Sequence, residues 1–132
     1  RVHEIIRVRS ANGEPVLLEE TCLPADLFPG LLAADLTGSL YTLLSRDYLT
    51  ELATADEHIQ AVPATAPRAR HLGVSPGDPL LLVTRTGFGN TGAAVEFSHD
   101  YFRADRTRIR VRSQADGDIT AGIQARPDNG ST

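Results

Sequence analysis

The sequence predicts an α+β domain with a mostly antiparallel sheet flanked by short helices. Three observations support this: apolar and polar residues alternate in several segments, glycine-containing turns return the chain on itself, and only two short segments carry helix caps. Because hairpins can join many of these strands, most neighbouring strands are expected to run antiparallel.

The first two strands form a predicted hairpin. Residues 2–10 alternate as a strand does, Asn12-Gly13 is a strong turn signal, and residues 16–23 form the returning strand. In the stretch RVRSANGEPVLLEETCLP, two arginines precede the turn and two glutamates follow it. Facing charges on a surface hairpin are common, so mutual neutralisation is the simple interpretation and a binding site is the alternative.

The register of this hairpin decides which charges meet. A two-residue turn pairs Arg7 with Leu18. A three-residue turn instead pairs Arg7 with Leu17, and Ile5 with Glu19. Only the second register is expected to put Glu19 on the arginine face, and the sequence leaves both open.

Caps, breakers and alternation predict the remaining elements. Residues 24–38 contain prolines and glycines and predict a loop with at most one helical turn. The elements that follow are a helix over 39–48, a strand over 54–63, a short helix over 65–72, and strands over 79–87, 93–103 and 106–113. Residues 114–132 are polar and aperiodic and predict a flexible tail.

Composition excludes several classes of protein. The chain of 132 residues has the size of one domain, and its net charge of −4 argues against a broad basic face for nucleic acid. A charge run on alternate strand positions is usually a solvated face, which is the interpretation for Arg106, Arg108, Arg110 and Arg112. The apolar runs are too short for a membrane span, so we expect a cytoplasmic protein.

Catalytic and metal-binding signals are weak. The histidines are scattered and the single cysteine, Cys22, stands alone, so we expect no metal and no other cofactor. The chain contains no Gly-x-Ser-x-Gly elbow of the hydrolase type. We therefore expect no catalytic residues and no enzyme activity.

Five stretches in a fixed order resemble a known family. They are RVRSANGEPVLLEETCLP, LFPGL, SLYTLL, ARHLGVSPGDPLLLVTRTG and AAVEFSHDYFRADR. In this order and spacing they resemble the UTRA domain, the effector-binding domain of HutC-type regulators in the GntR family of bacterial transcription regulators. The resemblance covers about residues 1–112 and implies a chorismate-lyase-like fold with a small-molecule pocket.

The resemblance also implies a set of ligand-binding residues. In the family, an arginine pair holds the anionic end of the effector, and glutamates, a serine and aromatic residues complete the site. The matching positions here are Arg7, Arg9, Glu19, Ser39, Tyr41, Glu96 and Phe102. Phe102 stands where the family often has tyrosine, so one hydroxyl contact is missing.

These residue types suit an anionic metabolite on physical grounds. Arg7 and Arg9 lie two residues apart on a strand and offer adjacent guanidinium forks for phosphate or carboxylate. Ser39 caps a helix start, whose backbone N–H groups favour the same anion. Glu19 and Glu96 can accept hydrogen bonds from hydroxyls or an amine at the other end of the ligand.

The leading hypothesis is therefore a ligand-sensing domain over residues 1–113, without catalytic turnover. The resemblance implies that it works as a homodimer and modulates operator DNA binding by a separate N-terminal winged helix-turn-helix domain. That domain, with a strand and helix before Arg1, is expected to lie outside this chain. The alternatives are a chorismate-lyase-like enzyme acting on a small carboxylate, and a dimerisation module whose pocket has degenerated.

Overall fold

The computed structural model describes residues 1–126 as an α+β chain. The strands are β1 (Val2–Ala11), β2 (Glu14–Pro24), β3 (Leu52–Pro63), β4 (Pro79–Gly89), β5 (Ala94–Arg103), β6 (Thr107–Ser113) and β7 (Ile119–Ala125). The helices are α1 (Leu40–Tyr48) and α2 (Ala66–Leu72), with 3₁₀ turns at Leu31–Ala33 and Ala104–Arg106. A five-stranded sheet has the order β1-β2-β5-β4-β3, and β6 and β7 form a separate pair.

Side-chain caps define both helices as the sequence predicts. The Ser39 hydroxyl accepts a hydrogen bond from the Thr42 amide at 3.2 Å, and the Thr65 hydroxyl performs the same role for α2. Gly73 ends α2 in a left-handed conformation with φ 68°. No helix within residues 1–126 has the length and apolar character that crossing a bilayer requires.

The first hairpin has the shorter of the two predicted turns. Asn12 and Gly13 both have positive φ, at 53° and 80°, as a two-residue type I′ turn requires. Along β2, however, the buried positions pass from Leu18 to Thr21, which is an interval of three rather than two. Such a phase shift is typical of a β-bulge.

Glu19 contacts Arg7 despite the short turn. The Arg7 Nη2 atom lies 3.1 Å from Glu19 Oε2. The expectation that only a three-residue turn puts Glu19 on the arginine face is therefore wrong, because the contact forms across a two-residue turn.

The chain forms two compact units, each with its own buried side chains. The first comprises Arg1–Arg7, Glu19–Gln60 and Leu82–Asp100. Its core cluster consists of Ile5, Leu23, Phe28, Leu31, Leu40, Leu43, Leu44 and Val95. The second comprises Val8–Leu18, Ala61–Leu81 and the described part of Tyr101–Thr132, and it buries Leu18, Ala69, Leu72, Leu80 and Tyr101.

Part of the predicted flexible tail, residues 114–132, is instead a strand, β7. After a turn at residues 114–118, β7 pairs with β6 as far as Ala125, and residues 127–132 lie outside the described part. Ile119 and Ile123 are paired with Ser113 and Ile109. The alternation was hidden in the sequence because alanine and glycine, with weak β propensity, separate these isoleucines.

Adjacent leucines in the first 3₁₀ turn test the core assignment. Leu31 is fully buried whereas Leu32 is 56% exposed. Leu31→Ala leaves a cavity and is expected to lower the free energy of unfolding by about 2–5 kcal/mol. Leu32→Ala removes the same atoms from the surface and should change it by about 0.5 kcal/mol or less. Urea unfolding measures both, and equal losses would contradict this core.

Candidate functional site

A buried carboxylate lies at the centre of the polar residues in the first unit. Glu96 on β5 is only 4% exposed. Its Oε1 atom accepts hydrogen bonds from the Tyr41 hydroxyl at 3.0 Å and from Arg85 Nε at 3.2 Å. Burial raises the pKa of Glu96, and the two donors oppose that shift by stabilising the charged form. Residues from α1, β4 and β5 therefore meet at one oxygen.

Arg85 connects this carboxylate to a second one. Its Nη1 atom lies 3.1 Å from Glu57 Oε1 on β3. Its guanidinium carbon also lies 5.4 Å from the centre of the Tyr41 ring, within the range of a cation–π contact. Burial, followed by the nearby Glu96 charge, raises the pKa of Tyr41, so its hydroxyl remains a donor.

A glycine makes room for the Glu96 carboxylate. A Cβ atom on Gly87 would lie 3.2 Å from Glu96 Oε1 and 3.0 Å from Leu52 Cδ2. The second distance is at the limit of real Cβ contacts, and Leu52 packs against the core. Glycine at this position of β4 therefore keeps the carboxylate next to its donors.

Arg7 forms a second polar group in the same unit. Besides Glu19, it donates from Nη1 to the carbonyl oxygens of Leu36 and Gly38, at 3.2 and 2.9 Å. Gly38 immediately precedes Ser39, the cap of α1. Arg7 therefore ties the hairpin glutamate to the loop that leads into the helix.

Among the described residues, Asp100 is a carboxyl group in a strongly perturbed environment. Burial, followed by the charges of Glu19 and Glu96, raises its pKa from 3.8 to about 7, against the opposing effect of Arg85. Its Oδ1 atom is buried and has no hydrogen-bond partner among the described residues. An unpaired buried acceptor is costly, so this oxygen is suited to a donor from a ligand or from water.

Two cavities adjoin helix α1. One, of about 200 Å³, lies at the start of the helix and is lined in part by Gly38, Ser39 and Arg46. The other, of about 220 Å³, is lined in part by Tyr41 and Arg85. The helix start offers backbone N–H groups and the positive end of a dipole, which favour an anion.

Five of the seven sequence-predicted ligand residues lie in this first unit. Arg7 contacts Glu19, Tyr41 contacts Glu96, and Ser39 follows the loop that Arg7 holds. Arg9 and Phe102 belong to the second unit. There Arg9 is partly buried, and Phe102 lines a cavity of about 120 Å³.

Sequence reasoning missed three members of the cluster: Arg85, Glu57 and Asp100. Arg85 had a usable signal, because an arginine inside the otherwise apolar strand LLLVTRTG requires a partner. Asp100 shares the predicted strand face of Glu96, which was a second signal. Within residues 1–126, no three histidine, cysteine, aspartate or glutamate side chains are grouped so as to hold a metal ion.

Comparisons with known proteins identify the family. Residues 1–108 match the UTRA domain, so the chain belongs to the UTRA domain family and the resemblance described above is confirmed. The chain is 32% identical over 114 residues to the HTH-type transcriptional regulator GmuR of Bacillus subtilis (strain 168), covering 84% of this chain and 48% of GmuR.

Two further relatives agree with this assignment. The HTH-type transcriptional repressor NagR of the same organism is 31% identical over 105 residues, covering 80% of this chain and 43% of NagR. The crystal structure of the effector domain of PhnF from Mycobacterium smegmatis has a TM-score of 0.76 and 30% identity, covering 80% of this chain and 65% of that one. The α+β class with a mostly antiparallel sheet is confirmed by this likeness. The chain spans about half the length of the curated relatives.

The raised pKa of Asp100 predicts a pH-dependent stability. The carboxyl takes up its proton near pH 7 in the folded state and near 3.8 when unfolded. Between these values the folded state binds more protons, so its contribution to the free energy of unfolding falls as pH rises. Asp100→Asn is expected to flatten this fall and to stabilise the protein most above pH 7, as urea unfolding at several pH values would measure.

Asp56→Asn is the matched control for this variant. Asp56 is exposed on β3, so its substitution should leave the pH dependence unchanged. An Asp100→Asn protein with the pH profile of the original chain would contradict the assignment.

Proposed function

We propose that this chain is the effector-sensing domain of a GntR-type transcription regulator. The effector is a small polar metabolite with an anionic group, and it modulates operator DNA binding by a separate N-terminal winged helix-turn-helix domain. Membership of the UTRA family supports the regulatory role, and relatives such as GmuR and NagR are transcription regulators by name. We also propose that the regulator acts in the cytoplasm.

One observation carries the proposal of a ligand site. Charged and hydroxyl side chains from α1 and from strands β1 to β5 converge in the first unit, and a buried acceptor among them lacks a donor. Unsatisfied buried polar groups are rare in folded proteins and cluster at functional positions. The proposed ligand-binding set in this unit is Arg7, Glu19, Ser39, Tyr41 and Glu96, to which we add Arg85 and Asp100. Arg9 and Phe102 lie in the second unit and stay predictions from the sequence.

The two ends of the proposed ligand meet different chemistry. Its anionic end lies at the start of α1, where Arg7 donates to the carbonyl of Gly38, the residue before the cap Ser39. Its hydroxyl or amine groups donate to Glu96 and Asp100, the latter through the oxygen that has no partner. Carboxylates accept hydrogen bonds and guanidinium groups donate them. The site therefore favours a ligand that carries both hydrogen-bond donors and an anionic acceptor.

Binding at Arg7 offers a route from ligand to structure. In the structure, the outer nitrogens of Arg7 are engaged by Glu19, Leu36 and Gly38. An anion that takes the Nη1 donors displaces the carbonyl oxygens of Leu36 or Gly38, which changes how the loop before α1 is held. The resulting effect on DNA binding is limited by the difference in ligand affinity between the two states of the regulator.

We propose that the domain dimerises and has no catalytic turnover. In the first unit, Ile6 is 67% exposed and Phe97 is 43% exposed, which suits an interface between two copies. Incubation with chorismate tests the enzyme alternative, because a lyase of that kind releases pyruvate. Pyruvate release equal to that without protein is the expected result.

Thermal-shift screening tests the sensor proposal directly. The panel consists of inorganic phosphate, sugar phosphates, amino acids and organic acids. A ligand present at a hundred times its dissociation constant should raise the free energy of unfolding by about 2.7 kcal/mol. We expect a phosphorylated or carboxylated compound to produce such a shift, and no shift across all anionic compounds would contradict the proposal.

Variants of the site then locate the binding compound. Tyr41→Phe retains the ring and removes only the hydroxyl that donates to Glu96, so it should fold and bind less tightly. Arg7→Gln should abolish the shift through loss of the guanidinium fork. Arg70→Gln, an exposed arginine on α2, is the control and should bind as the original chain does. Unchanged calorimetric affinity in both site variants would place the ligand elsewhere.

A further inference from the structure

The β6–β7 hairpin sorts its side chains into two chemically different faces. Strand pairing places each of three arginines opposite an uncharged residue, namely Arg108 opposite Gln124, Arg110 opposite Gly122 and Arg112 opposite Thr120. The intervening positions form the other face and are largely apolar: Ile109, Val111, Ala121 and Ile123. We call the side with Arg108, Arg110 and Arg112 the arginine face.

Charges on the arginine face are not neutralised within the described part of the chain. Arg108 donates from Nε to the Gln124 side-chain oxygen at 3.0 Å, which is a neutral acceptor. The side chains of Arg110 and Arg112 have no hydrogen bond or ion pair to any residue in 1–126. Same-face neighbours on a strand lie about 6.6 Å apart, so the arginines repel one another. An external polyanion would relieve that repulsion.

The arginine face also contains a cavity. It has a volume of about 320 Å³ and is lined in part by Arg110, Arg112, Thr120 and Gly122. Because Gly122 has no side chain, the guanidinium of Arg110 borders open space rather than a cross-strand neighbour. The arginine face therefore combines a cavity with two guanidinium groups, those of Arg110 and Arg112, whose charges have no partner in the described part of the chain.

Local charge on the hairpin is opposite to that of the whole chain. Residues 107–126 carry four arginines and two aspartates, whereas the chain has a net charge of −4. The aspartates, Asp116 and Asp118, lie in or next to the turn at the far end of the hairpin. The segregation of cations to one face is thus a property of the hairpin.

We propose that the arginine face binds the phosphate backbone of duplex DNA without regard to base sequence. Guanidinium groups match the geometry of phosphate. A duplex presents its phosphates in a regular series, and the arginines are also regularly spaced, at every second residue of β6. A two-stranded antiparallel ribbon also has the dimensions that the major groove admits. An acidic polypeptide would offer carboxylates without that regularity. This proposal does not depend on the small-molecule site.

Fluorescence anisotropy tests the binding of duplex DNA to the arginine face. A short labelled duplex is titrated with the 132-residue chain at several NaCl concentrations. The logarithm of the binding constant should fall linearly with the logarithm of salt concentration, and duplexes of unrelated sequence should bind alike. The double variant Arg110→Gln/Arg112→Gln should reduce the magnitude of that slope by about 2, since two phosphate contacts are lost. Gly122→Glu, which places a carboxylate opposite Arg110, should weaken binding as well.

The double variant Arg1→Gln/Arg70→Gln is the control, because it removes the same charge from exposed positions outside the hairpin. It should retain the slope of the original chain, and circular dichroism should show that all variants fold. Equal slopes for the two double variants would overturn the proposal. So would displacement of the duplex by polyglutamate at an equal concentration of charges, which would assign the face to an acidic polypeptide.

Discussion

The burial of Glu96 is the interaction that constrains the rest of the first unit. A carboxylate with 4% exposure loses almost all contact with water, and that loss is costly unless charged or polar partners replace it. Here the partners are a tyrosine from α1 and an arginine from β4, and Gly87 leaves the space that they need. Removing either donor would leave a poorly compensated charge inside the protein. The position of α1 against these strands is therefore tied to one carboxylate oxygen.

Arg7 constrains the loop before α1 in a similar way, through hydrogen bonds to its carbonyl oxygens. Its two outer nitrogens hold Glu19 and two carbonyl oxygens, so strand β2 and the loop before α1 both depend on one guanidinium. Arg7 and Arg85 are both engaged by carboxylates, so a ligand has to compete for the nitrogens that hold these carboxylates. Asp100 Oδ1 differs, because this buried oxygen has no hydrogen-bond partner among the described residues, as is also true of Arg7 Nε, and a ligand can complement it without displacing anything. Competition at Arg7 and complementation at Asp100 are thus two distinct ways in which binding can alter the unit.

Local patterns predicted most of the elements and part of the site. The capped helix after Ser39, with Leu40, Leu43 and Leu44 buried, followed from cap chemistry and periodicity. The contact between Arg7 and Glu19 did not follow, because residue types left the register of the hairpin open, and the two-residue turn that forms was expected to keep these side chains apart. Arg85 and Glu57 escaped notice because they meet across 28 positions of sequence, and only tertiary structure brings them together. Strand β7 was missed because weakly hydrophobic residues concealed its alternation.

Arginine has two opposite roles in this chain, and its surroundings decide which. In the first unit, Arg7 and Arg85 are partly buried and each contacts a carboxylate, so their charges are satisfied internally. On β6, Arg110 and Arg112 are exposed, and the residues opposite them, Gly122 and Thr120, carry no charge. The net charge of −4 sums over paired and unpaired arginines alike, so it does not describe the local charge around either kind. Because screening limits each surface charge to about a Debye length, roughly 10 Å at moderate salt, a partner at the hairpin responds to the local cations rather than to the sum.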